Sequence, residues 1–117
     1  MDVPRTLDEI LETAVQVNAT AVTLEPETGG LEVAFFHGSS GIGLLVTDPA
    51  HQDAILSELT TRARLGTRVS RNVQFTICSA VYKVSVSSRE HFGETAFDVR
   101  FSPDAVAQRR SRLKKRP

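Results

Sequence analysis

Between residues 82 and 101 apolar and polar side chains alternate with a period of two. Tyr82, Val84 and Val86 are interleaved with Lys83, Ser85 and Ser87, and Phe97, Val99 and Phe101 with Asp98 and Arg100. Successive side chains of a strand point to opposite faces, so the pattern specifies strands with one face in a core and the other in water. Strands of this kind make antiparallel sheets, since parallel sheets are covered on both faces. VQFTI, from Val73 to Ile77, adds a strand before them.

The first half of the chain supplies what covers that face. Thr6 and Glu9 stand at capping-box spacing, and Leu7, Ile10, Leu11 and Ala14 follow at i, i+3, i+4 and i+7, which predicts a helix over 7–17 with Asn18 as its stop. TAVTLE, from Thr20 to Glu25, predicts a first strand ending at Pro26. Thr28, Gly29 and Gly30 then turn the chain into LEVAFF, Leu31 to Phe36. A loose segment from His37 to Gly41 leads to a third strand, Ile42 to Val46. Asp48 followed by Pro49 opens a second helix running to about Arg64, with Ile55, Leu56, Leu59 and Ala63 on one stripe and Gly66 as C-terminal cap. The expected fold is α+β, a two-layer sandwich of order α-β-β-β-α-β-β-β, with a mainly antiparallel sheet and helices on one face.

A chain of 117 residues can close one core, and the expected division is a single domain over 1–104 with a basic tail over 105–117 that is either a short helix or disordered. No run approaches the roughly 20 apolar residues of a membrane span. The opening MDVPRTLDEI lacks a basic segment followed by an apolar one, so the expected location is cytoplasmic. A net charge of zero hides an asymmetry. Arg109, Arg110, Arg112, Lys114, Lys115 and Arg116 crowd the end, leaving residues 1–108 with 8 basic against 14 acidic residues, a net of −6. Such a tail suits nucleic acid, an anionic membrane surface or an acidic partner, or is simply a solvated terminus. No aromatic residue interleaves with its charges to stack on bases.

Motifs for catalysis are missing from the sequence. FHGSSGIG, Phe36 to Gly43, is glycine-rich like a phosphate-cradling loop, but Leu44 and Leu45 stand where the lysine and the hydroxyl residue would follow, so it is read as a flexible connector. His51, in the first turn of the second helix, and His91, in the hairpin tip SREHFGE, are read as solvated residues, and no serine lies in a nucleophile elbow. Glu25 and Glu94 make a carboxylate pair only if the fold joins them. Cys78 is alone, which leaves no disulfide and a poor metal site, and is read as a small buried residue in a strand. No cofactor or metal is expected.

Three segments, NATAVTLEPETGGLEVAFFHG, AILSELTTRARL and VSVSSREHFGETAFDVRF, in order resemble the PAS-like N-terminal subdomain of the type II secretion and type IV pilus assembly ATPases. The match rests on Leu24-Glu25-Pro26, Val33, Phe35, Gly93-Glu94 and Val99-Arg100-Phe101. The family's alternating hairpin arginines are replaced by Glu32 and Ala34 and its following Asp-Gly by Phe36-His37. An arginine expected to reach a nucleotide on the neighbouring catalytic domain falls on Gln74. Lys83 stands near the place of another, depending on register. Neutral groups cannot reproduce a bidentate arginine contact to phosphate.

The resemblance therefore implies a scaffold kept without its nucleotide-assisting face and without the ATPase domain. The function expected is a non-catalytic, protein-binding domain that docks to a secretion or pilus ATPase, to its membrane platform, or to a copy of itself. Its expected contact residues are Glu32, Ala34 and Phe36 on the hairpin and Arg109, Arg110, Arg112, Lys114, Lys115 and Arg116 in the tail. Two alternatives are a sensory module with a small-ligand cavity between sheet and helices and a nucleic-acid adaptor working through the tail.

Overall fold

A computed structural model describes residues 2–102. Their order is α1 (Leu7–Gln16), β1 (Ala21–Glu27), β2 (Gly30–His37), β3 (Ser40–Val46), α2 (Pro49–Ala63), β4 (Ser70–Ile77), β5 (Ala80–His91) and β6 (Glu94–Phe101). The expected order and fold class hold. The tail residues Arg109 to Arg116 lie outside the described part. No described helix is long and apolar enough to cross a membrane.

Both helices begin where their caps predict. The Thr6 hydroxyl accepts the Glu9 N–H at 3.2 Å and the Glu9 carboxylate accepts the Arg5 N–H at 2.8 Å, which closes the capping box one residue early. Asp48 caps α2 by accepting the Ala50 N–H at 2.9 Å. At the end of α1, Asn18 takes the left-handed conformation (φ 57°), as a stop residue does. At the end of α2 the left-handed cap falls on Arg64 (φ 52°) rather than on Gly66, because turning the chain there drops Leu65 into the core.

The sheet has six strands in the order β3-β2-β1-β6-β5-β4, and every neighbouring pair is antiparallel. Two three-stranded meanders, separated by α2, join through β1 and β6. On the covered face Leu24 lies between Val33 and Phe97, and Val22 between Phe35 and Val99. Leu7, Ile10 and Leu11 of α1 and Ile55 and Leu59 of α2 pack into the same cluster. Arg62 ties the helices together, donating to Asp8 at 2.8 Å with its guanidinium 4.9 Å from the centre of the Phe75 ring. Ala34 and Ala96 are buried yet lie apart from that cluster, because they point to the opposite face, where no described element covers the sheet.

Several local expectations are corrected. β1 continues through Pro26 to Glu27; its register with β6 stops at Leu24–Phe97, so the missing proline N–H breaks no bond to that neighbour. The segment expected to be loose is a tight hairpin in which His37 pairs with Ser40. FHGSSGIG therefore spends its backbone on the ladder to β2 and makes no cradle.

Cys78 is exposed and sits with Ser79 in a two-residue turn between Ile77 and Ala80. Both turn residues have positive φ, 51° and 68°, which defines a type I′ turn. That turn matches the twist of the flanking strands, and sheet pairing imposes it on two residues that disfavour it. Ser79→Gly is therefore expected to stabilise the protein by about 1 kcal/mol, or about 5 °C in Tm, measured by thermal denaturation.

Candidate functional site

The register of the sheet sets what lies on the uncovered face. Two full rows cross it, Gly41–Phe36–Ala21–Arg100–Ser85–Asn72 and Gly43–Ala34–Thr23–Asp98–Ser87–Ser70. Past Leu24–Phe97, where the pairing of β1 with β6 stops, a third row continues as Leu45–Glu32–Glu25 on one side and Ala96–Arg89 on the other, and a fourth as Gly30–Glu27 and Glu94–His91. Small residues leave room for large neighbours. The Phe36 ring lies so close over Gly41 that a β-carbon there would meet it at 2.7 Å, and the Glu32 carboxylate lies over Gly43.

In the third row Ala96 is short enough for Arg89 on β5 to reach across β6 to Glu25 on β1. The Arg89 guanidinium donates to Glu25 and, through Nε, to Asp98 at 2.9 Å. These hydrogen bonds, the Asp98 one first and then the Glu25 one, raise the arginine pKa further above its already high value. The cluster has one cation and two carboxylates and keeps one net negative charge. Beside it, His91 Nε2 is 3.3 Å from a Glu27 carboxylate oxygen, and its side chain is only 16% exposed, so this histidine is not the solvated residue expected. β5 runs unbroken to His91, and the hairpin tip narrows to Phe92 and Gly93.

Ligand atoms of Glu25, Glu27 and His91 lie within 4.8 Å of one another, close enough to share a divalent cation. Arg89 competes for Glu25, so the arrangement reads first as a network of ion pairs. Glu94, the other half of the expected carboxylate pair, is exposed, and Glu25 is bound to Arg89 instead.

Across the face, at the other end of β5 and β6, is an open groove of about 660 Å³ lined by Thr20, Asn72, Gln74, Lys83, Ser85 and Arg100, among others. It opens to the uncovered side of the sheet, not between sheet and helices. Lys83 and Arg100 are diagonal neighbours there, and neither has a carboxylate partner among the described residues.

Of the expected contact residues, Phe36 is partly exposed, Glu32 half-buried and Ala34 7% exposed, so Ala34 offers little surface. Arg89 lies in the segment expected to be a hairpin tip, but the alternation continued from Lys83 places it on the wet face beside Asp98. Phe92 is 93% exposed and has φ 50°, an aromatic residue in the left-handed region. Fold and face thus define a one-sided α+β sheet domain with an exposed aromatic tip. No known family model matches the chain, and neither does any curated protein.

Proposed function

We propose that this chain is a non-catalytic protein-interaction domain, a cytoplasmic relative of the N-terminal subdomain of secretion and pilus assembly ATPases that docks to a protein of that machinery or to itself. The observation that carries the reading is Phe92. A left-handed backbone costs an L-residue about 1–2 kcal/mol. The ring recovers little in this chain, since its packing is an edge contact with His91 at 4.9 Å between ring centres. Phe92 and Gly93 close a two-residue hairpin between His91 and Glu94, which sets that backbone as it does at Cys78 and Ser79. The ring left 93% exposed at the tip is what supports docking, since buried aromatic anchors dominate protein interfaces. Loss of the family's arginines at Glu32, Ala34 and Gln74 fits a scaffold that binds without assisting ATP hydrolysis.

Phe92→Asn separates docking from folding, because asparagine tolerates the left-handed conformation. The variant is expected to keep or raise Tm while its capture of purified assembly ATPase or platform protein falls at least tenfold. Undiminished capture refutes Phe92 as the anchor, and failure of the unmodified chain to capture either protein refutes those partners. Loss of capture on neutralising Arg109 to Arg116 instead would move the contact to the tail.

A further inference from the structure

The uncovered face is electrically polar along its strands. Lys83 and Arg100, at one end, have no carboxylate partner among the described residues. At the other end are Glu27, Glu94 and the Glu25–Arg89–Asp98 cluster with its net negative charge. A face with opposite charges at its two ends complements a rotated copy of itself.

The register makes the rotation specific. Take a two-fold axis lying across the strands along the row Thr23–Asp98–Ser87. Arg100 is two residues from Asp98 on one side and Ala96 two residues on the other, so the rotation carries Arg100 to the level of the Glu25–Arg89–Asp98 cluster. Lys83 is four residues from Ser87 and His91 four residues the other way, so Lys83 arrives beside Glu94 and Glu27. Leu45 arrives over Gly41, against the Phe36 ring that lies there, an apolar contact between the two copies.

We propose that the partner of this face is a second copy of the chain, packed sheet against sheet about that axis. This deepens the docking reading above and rests on it. Six strands at about 4.8 Å and about seven residues at 3.4 Å give a footprint of roughly 550 Å² per copy. Two copies then bury roughly 1,100 Å², at the lower end for specific complexes, so the pairing is weak and reversible, with a dissociation constant of about 10–100 µM. Its charges are at the surface and salt screens them.

Charge reversal tests the pairing. The full chain is expected to sediment as a monomer–dimer equilibrium at low salt and to weaken at least tenfold in about 0.5 M salt. Lys83→Glu with Arg100→Glu makes both ends acidic, and Glu27→Lys with Glu94→Lys makes the acidic end basic, so that both ends are basic. Each double variant alone should lose at least tenfold in self-association while keeping its far-ultraviolet circular dichroism. An equimolar mixture of the two should recover self-association in part, since position 83 of each copy then meets the opposite charge at positions 27 and 94 of the other, while Arg100→Glu still faces the acidic Glu25–Arg89–Asp98 cluster.

A wild-type chain that stays monomeric at about 200 µM and low salt overturns the proposal, because that concentration exceeds the expected constant. Self-association indifferent to the Lys83 and Arg100 reversals overturns it too, as does self-association lost only when the six basic residues from Arg109 to Arg116 are neutralised, which would make the tail the occupant. A monomeric result leaves the Phe92 capture experiment untouched, so failure of the pairing and failure of the docking reading are separately visible.

Discussion

Leu24→Ala is expected to remove about 3 kcal/mol of stability and lower Tm by about 15 °C. Leu24 is fully buried in β1, with Val33 on one side and Phe97 on the other, at the junction of the two meanders. Truncation loses the transfer free energy of the removed methyl groups and leaves a cavity that paired strands on both sides cannot collapse to fill. Thr23→Ala, one residue away, points to the uncovered face and is expected to change stability by no more than about 0.5 kcal/mol. Chemical denaturation of both variants checks the assignment of faces. Equal losses would mean that β1 does not present alternate residues to a covered and an open side.

Gly30→Ala is expected to cost about 2–3 kcal/mol for a different reason. Gly30 begins β2 beside the end of β3, and a β-carbon there would fall well inside contact distance of the Val46 carbonyl oxygen. Backbone cannot swing aside as a side chain can, so β3 would have to move or the hairpin distort. Gly43→Ala is the control. Its β-carbon would meet the Glu32 carboxylate at 3.4 Å, and a glutamate at the surface can rotate away, so the expected loss is below about 1 kcal/mol. Urea denaturation of the two variants should rank them in that order. The reverse order would show that β3 does not close against the start of β2.

Much of the architecture was legible because its signals are local. Alternation in β5 and β6 identified which residues face the core, stripes of period 3.6 placed α1 and α2, and Thr6, Asn18 and Asp48 marked helix ends. Where two local readings competed, the sequence misled. Cys78 follows the apolar residues of β4 and resembles one more of them, whereas two-residue pairing of Ile77 with Ala80 forces it into a turn. Gly66 looked like the cap of α2; it is left-handed, but the helix already ends at Arg64, also left-handed, and Leu65 between them is buried. The glycines of FHGSSGIG suggested a loop; Gly38 turns the hairpin, and Gly41 and Gly43 serve as floor beneath Phe36 and Glu32.

The sequence by itself determined the order of elements, the wet and dry side of most strands and the division between an acidic body and a basic tail. These depend on neighbours within a turn of helix or a few residues of strand. Only the tertiary structure decided that Glu25 meets Arg89, 64 residues away, over the small side chain of Ala96, and that Lys83 and Arg100 gather at the opposite end of the same face. Strand order and register are set by the summed packing of both meanders against two helices, a long-range outcome that no local period encodes.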